Sequence, residues 1–197
     1  MESTDVADSL RDSAELNLDK KVAVYIALLA VLLSICSVGG GNSTKDSTRL
    51  NIQASDTWAY YQAKNMRQTT YRVAADALEL KLGEQGLADA QRKQIEQKLA
   101  AYNAEINRLE SDAKGGEGKK ELIAKAKDFE KDRDAALRQD PYFDYAQAFL
   151  QIAVVLASAS IVLKIQSLLI GSGFLSVLGA LLMINGFTLA VSIPFIE

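Results

Sequence analysis

Asp128, Glu130, Asp132 and Asp134 place four carboxylates in one short stretch. Such a density could hold a divalent cation or pair a general acid with a general base. Lys127, Lys131 and Arg133 interleave with them, and alternating signs at that spacing read as a solvated helix face rather than a site. The chain has no histidine. That removes the commonest general base, the commonest metal ligand and every nucleophile–histidine arrangement. The single cysteine, Cys36, lies in an apolar run, so neither an internal disulfide nor a paired-cysteine metal site is available. Gly171-Ser172-Gly173 lacks the third glycine and the preceding strand of a dinucleotide fingerprint, and Gly39 to Gly41 is a plain glycine run. No enzyme activity, no cofactor and no metal are expected.

The remaining distinctive residues suit contact rather than reaction. Ala54-Ser55-Asp56-Thr57-Trp58-Ala59-Tyr60-Tyr61-Gln62-Ala63-Lys64 concentrates the only tryptophan and two tyrosines. On a helix Trp58 and Tyr61 share a face and Tyr60 points elsewhere. These aromatics pack against a returning helix or lipid headgroups, or they mark an interface. Ile95, Leu99, Tyr102, Ile106, Leu109 and Ala113 alternate four and three apart, which is a heptad seam. Near the carboxyl end, Ala153, Ala157, Ser172, Ser176, Gly179, Ala180, Gly186 and Ala190 form small-residue stripes, with polar Asn185 among them. Small side chains let membrane helices approach closely, within one chain or between chains, and an intramembrane Asn is expected to face a partner helix.

The elements that position these residues follow from the charge distribution. Charged residues are 24% of the 197, and they are segregated. Val22 to Thr44 holds none, Lys45 to Asp140 holds 18 Lys/Arg and 17 Asp/Glu, and beyond Asp144 only Lys164 and Glu197 are charged. Hydrocarbon excludes charge, whereas a water-exposed surface needs it throughout. The expected fold is all-α. It comprises a polar acidic tail (1–21), a first transmembrane helix (22–41), an extramembrane antiparallel, coiled-coil-like helical hairpin (42–141), a second transmembrane helix (142–164) and a third (165–197).

Gly39 to Gly41 are expected to bend or end the first span, and Ser43, Thr44 and Ser47 to cap a new helix running from about Lys45 to Leu82. That helix should end at Gly83 to Gly86. A third soluble piece, Lys119 to about Gln139, should end or kink at Pro141. Lys164, Gln166 and Ser167 mark a tight turn. The final run, Leu168 to Ile196, exceeds one span and should tilt, bend or extend past the hydrocarbon. A cleaved signal peptide is the competing reading of Lys20-Lys21 and the run after them; intact-mass measurement separates the two.

With Arg11, Lys20, Lys21 and Lys164 on one side, the charge bias sets the amino terminus in the cytoplasm and the hairpin in the periplasm. The nearly balanced central charge lacks the one-sign basic patch that nucleic acid requires.

The stretch ASDTWAYYQAK at 54–64 follows a span ending in small residues (Gly39 to Asn42). It precedes a charged helical stretch and two final spans. In this the chain resembles a bacterial membrane family known as domain of unknown function 4337. The resemblance implies the same architecture, in a bacterial membrane; the family has no established activity, so it implies almost nothing about function. The expected role is that of a non-enzymatic homo-oligomer with a structural or scaffolding function, its partners being itself and the lipid bilayer. An accessory subunit bound to another membrane protein is the alternative, and a small channel or transporter using Gln147, Gln151, Lys164 and Asn185 is a third.

Overall fold

The computed structural model describes the backbone of residues 2–194 and 196, with side chains from Leu18 onward. It contains four helices, α1 (Glu2–Leu82), α2 (Asp89–Glu110), α3 (Lys119–Leu163) and α4 (Gln166–Thr188), and no strand among the described residues. Three of them, α1, α3 and α4, contain stretches long and apolar enough to cross a membrane. The chain divides into two compact units, Met1–Ser47 with Asp134–Glu197, and Thr48–Arg133.

The first unit packs the apolar parts of α1 and α3 with α4. Its core is Leu29, Cys36, Phe143, Ala146, Leu150, Ala153 and Met183. Three alanines on α3, Ala146, Ala153 and Ala157, are fully buried, so the neighbouring backbones come close. The α3–α4 turn is tight because Lys164 takes a left-handed φ of 52°, leaving only Lys164 and Ile165 between the helices.

Four expectations about this unit require correction. Gly39 to Gly41 do not end a helix, since α1 runs through them to Leu82. A helical glycine costs roughly 1 kcal/mol against alanine, but here it makes room for an aromatic ring. A Cβ at Gly39 would lie 2.6 Å from Phe143 Cε1, and one at Gly40 would lie 3.1 Å from Phe143 Cβ. Ser43, Thr44 and Ser47 accordingly cap nothing. Ser43 donates to the Ala136 carbonyl (2.6 Å), Thr44 to Asp140 (2.9 Å) and Ser47 to the Thr44 carbonyl (2.9 Å). Pro141 does not end a helix either and lies inside α3. Interior proline costs about 3 kcal/mol, and the complete burial of Tyr142 and Phe143 beside it offsets that cost.

The last apolar run is not one long helix. It leaves α4 at Thr188, where Leu189 adopts φ 47°. The Asn185 amide donates to the Val191 carbonyl (2.7 Å) and accepts from the Val191 N–H (2.9 Å). The Tyr142 hydroxyl donates to the same carbonyl (3.2 Å) and accepts from the Ile193 N–H (3.0 Å). Backbone outside a helix must find its partners locally in an apolar setting, and these two side chains supply them.

In the second unit, α1 ends at Leu82, and the loop after it includes Gly86 at φ 92°. The partners of α1 then run in reverse order along the chain: Tyr71 meets Tyr102, Gln68 meets Ile106, Trp58 meets Glu130 and Asn51 meets Arg133. The α2 positions at seam spacing are its more sheltered ones, with Leu109 buried. The expected seam residue Ala113 lies outside α2 and is exposed. The helix stops at Glu110 because Asp112 folds a turn: it accepts from the Gly115 N–H (2.9 Å), and Gly116 sits at φ 66°.

Candidate interaction surfaces

Trp58 is half-buried and its indole N–H donates to Glu130 (2.8 Å), while Tyr61 meets its ring edge-on at 5.6 Å. Tyr60, 42% exposed, donates its hydroxyl to Glu117 (2.9 Å). The cluster of aromatics on two faces is therefore largely used inside this unit. Ile95, Leu99, Tyr102 and Ile106 are half-buried on α2; Tyr102 lies 5.4 Å from the Tyr71 ring.

A group of residues that periodicity does not reveal closes the α2–α3 junction onto α1. Lys64, Gln68 and Lys119 are all buried. Gln68 Nε2 donates to the Ile106 carbonyl (2.9 Å) and to Glu110 (3.0 Å), and its Oε1 accepts from Lys119 Nζ (2.9 Å). Lys119 also reaches Glu110 at 3.3 Å and stands 5.7 Å over the Tyr61 ring. Lys64 donates to the Glu117 carbonyl, pairs with its carboxylate at 3.4 Å and lies 4.9 Å over the Tyr60 ring. A buried ammonium is tolerable only when its donors are taken up, and every fully shielded side-chain nitrogen and oxygen among the described residues has a partner. The Gln68 amide, and then Lys119, hold the Glu110 carboxyl below the usual carboxylate range. Tyr60, and then Lys64, do the same to Glu117. In the sequence these residues look like ordinary polar surface, because their partners are distant along the chain.

In the first unit the small polar residues of α4 turn inward. Ser172 is fully buried and donates to the Ala153 carbonyl (2.7 Å). Ser176 donates to the Gly173 carbonyl (2.8 Å) and accepts from the Tyr25 hydroxyl (3.0 Å), which also stands 3.1 Å from Ser172 Oγ. Asn185 clamps its own chain at Val191 rather than a partner helix. Its amide matches a backbone donor and acceptor a few residues on, so the expectation of a partner helix there is corrected. Ala180 is half-buried. Gly179 and Gly186 face Leu150 and Phe143 closely. Ser172, Ser176, Gly179 and Gly186 thus make contacts within the chain, whereas Ala190 lies beyond α4 and is exposed.

The carboxylates Asp128, Glu130, Asp132 and Asp134 do not converge, and no group of residues able to hold a metal ion is present among the described residues. The described geometry offers packing surfaces and a charged junction.

A family model described as domain of unknown function (DUF4337) matches residues 18–189. The chain belongs to the DUF4337 family. No curated protein and no solved structure matches it. The match to the DUF4337 model covers both units, including the Trp58–Tyr61 stretch and the buried junction around Gln68.

Proposed function

We propose that this DUF4337 protein is a non-enzymatic homo-oligomeric scaffold of the bacterial inner membrane. In this reading its amino terminus is cytoplasmic, three helices span the bilayer, and the charged unit projects into the periplasm as an antiparallel, coiled-coil-like hairpin. One observation carries the membrane part: the first unit has an inverted surface, apolar along its spans, while several of its few polar side chains are buried beside an apolar core. Ser172, Ser176 and Asn185 are buried, whereas Val24, Leu28, Val31, Val155, Phe174 and Leu181 are exposed. Water disfavours that inversion and hydrocarbon favours it, because lipid gives exposed apolar side chains no reason to hide and hydroxyls every reason to pair.

The second unit supplies the reach. Apart from Lys64 and Lys119 its charges reach the surface and nearly balance, and its helices offer packing faces rather than a reactive cluster, which supports a role in contact. A cysteine at Gly116, labelled in intact cells by an impermeant thiol reagent, tests the orientation. Labelling is expected before membrane disruption; labelling only afterwards reverses the topology. Mass photometry in mild detergent tests self-association. A discrete oligomer is expected, a strict monomer at all concentrations overturns it, and a stoichiometric foreign protein establishes the accessory-subunit reading instead.

A further inference from the structure

The two contact faces that the sequence marks, Trp58–Tyr61 and the Ile95–Leu109 seam, make their main contacts within the chain. Another face of α1 is not. Ala63, Met66, Thr70, Val73, Ala77 and Leu80 alternate three and four apart and are all exposed. Met66, Val73 and Leu80 are 73%, 63% and 78% exposed. They lie on the side of α1 away from Lys64, Gln68, Tyr71 and Ala75, which face α2 and α3; two residues apart on a helix is about 200°. Four of these six, Met66, Thr70, Val73 and Ala77, line one shallow concavity together with Asn65 and Thr69, and every residue that lines it belongs to α1.

The seam contains no charged residue, inside a segment where Lys45 to Asp140 carries 35 of them (18 basic and 17 acidic). Water gives no reason for such a stripe, about 27 Å long at helical rise, but a two-stranded seam does: apolar residues every three and four positions are what two helices bury against each other. The charges that flank it choose the partner and its direction. In a parallel, in-register pair, the position just before one core layer faces the position five residues on in the other strand. That places exposed Asp76 of one copy against exposed Lys81 of the other. An antiparallel pair would instead set like positions opposite each other. Copies inserted the same way round in one bilayer have α1 pointing the same way, and shared tethering raises their effective concentration.

We propose that residues 63–80 of α1 form a parallel, in-register dimer seam with a second copy of this chain. This rests on the homo-oligomeric membrane reading and names its surface. Small residues at Ala63, Thr70 and Ala77 let the two helices approach, Met66, Val73 and Leu80 fill the alternate layers, and Asp76–Lys81 pairs fix the register.

Single cysteines at Met66, Val73 and, as a control on the exposed side of α2, Gln94 test this in native membranes under mild oxidant. The native Cys36 thiol is buried and does not compete. A shift from monomer to dimer mobility is expected for Met66→Cys and Val73→Cys and not for Gln94→Cys. Because each cysteine meets its own copy only in a parallel, in-register pair, equal crosslinking at all three sites, or none at the first two, overturns the seam. Asp76→Lys should lower the Val73→Cys yield several-fold, and adding Lys81→Asp should restore it; failure to restore overturns the register. If the wild type is oligomeric yet uncrosslinked at the seam, the surface is wrong and the oligomer stands. If it is monomeric, both fall. A Val73→Cys adduct with a foreign protein in place of the dimer also overturns the second copy as the occupant.

Discussion

The two units of this protein bury different kinds of polar group. In the membrane-type unit the buried polar atoms are hydroxyls and one amide, and their donors go mainly to backbone carbonyls, as with Ser172 to Ala153 and Ser43 to Ala136. In the charged unit one hydroxyl, Thr57 on the Gln53 carbonyl (2.7 Å), is joined by two ammonium groups and Gln68, tied to Glu110, Glu117 and the Ile106 carbonyl. The surroundings explain the difference. A lysine can be half-desolvated when its carboxylate partner still touches water, and Glu110 and Glu117 do. Hydrocarbon offers no such outlet, so neutral groups that satisfy a local carbonyl are the affordable choice there. Buried alanines serve both units, Ala146 and Ala153 in one and Ala54, Ala75 and Ala126 in the other, but only the membrane-type unit seats glycines against an aromatic ring.

The comparison can be broken most severely at Phe143, whose ring fills the space left by Gly39, Gly40 and Gly186. Phe143→Ala should cost about 3–5 kcal/mol, read as an earlier midpoint in SDS titration of mixed micelles, with the charged unit's hydrogen exchange unchanged. A loss spread equally over both units would show that they are not separate. Gly39→Leu should cost about 1–3 kcal/mol by overpacking, and combining it with Phe143→Ala should recover part of that loss. No recovery would mean that the glycine serves something other than the ring.

Gln68→Ala removes the amide that joins Lys119, Glu110 and the Ile106 carbonyl and should cost about 1–3 kcal/mol. Hydrogen exchange should rise at the α2–α3 junction alone; protection kept there would remove Gln68 from its central place. Tyr25→Phe deletes a hydroxyl shared by Ser172 and Ser176 and should cost only about 0.6 kcal/mol, the usual size for a membrane hydrogen bond. A cost several times larger would show that α1 depends on polar rather than steric contact.

Acid gives the mildest test. The folded-state pKa values of Glu110 and Glu117 are depressed, so their contribution is present above the unfolded value of about 4.3 and is lost as pH falls through the folded values. Because both side chains meet water, the loss should be small and confined to the charged unit. Exchange that rises first in the membrane-type unit would contradict it.

Much of the fold was legible in the sequence. The three apolar stretches, the helix end at Leu82, the turn at Lys164 and the sheltered positions of α2 all follow from local properties. Hydropathy, glycine and seven-residue spacing act over one or two turns, so reading neighbours is enough. The site was less legible. The aromatic stretch at Trp58 was visible, but the acceptor for its indole, Glu130, lies 72 residues away. Lys64, Gln68 and Lys119 are polar, so the apolar pattern that marks a packed face does not mark them.

By itself, then, the sequence determined which segments are apolar enough to cross a membrane and which carry the charge, because transfer free energy is a property of composition. Only the tertiary structure decided that α1 continues through Gly39 to Gly41, that α3 continues through Pro141, and that Asn185 turns back on its own chain. Each of those outcomes depends on a partner brought close by folding: Phe143 stands 107 residues from Cys36 in the chain, yet its carbonyl accepts the Cys36 thiol proton at 3.2 Å. A glycine or a proline states only what its backbone permits, and the side chain packed against it selects among the permitted forms.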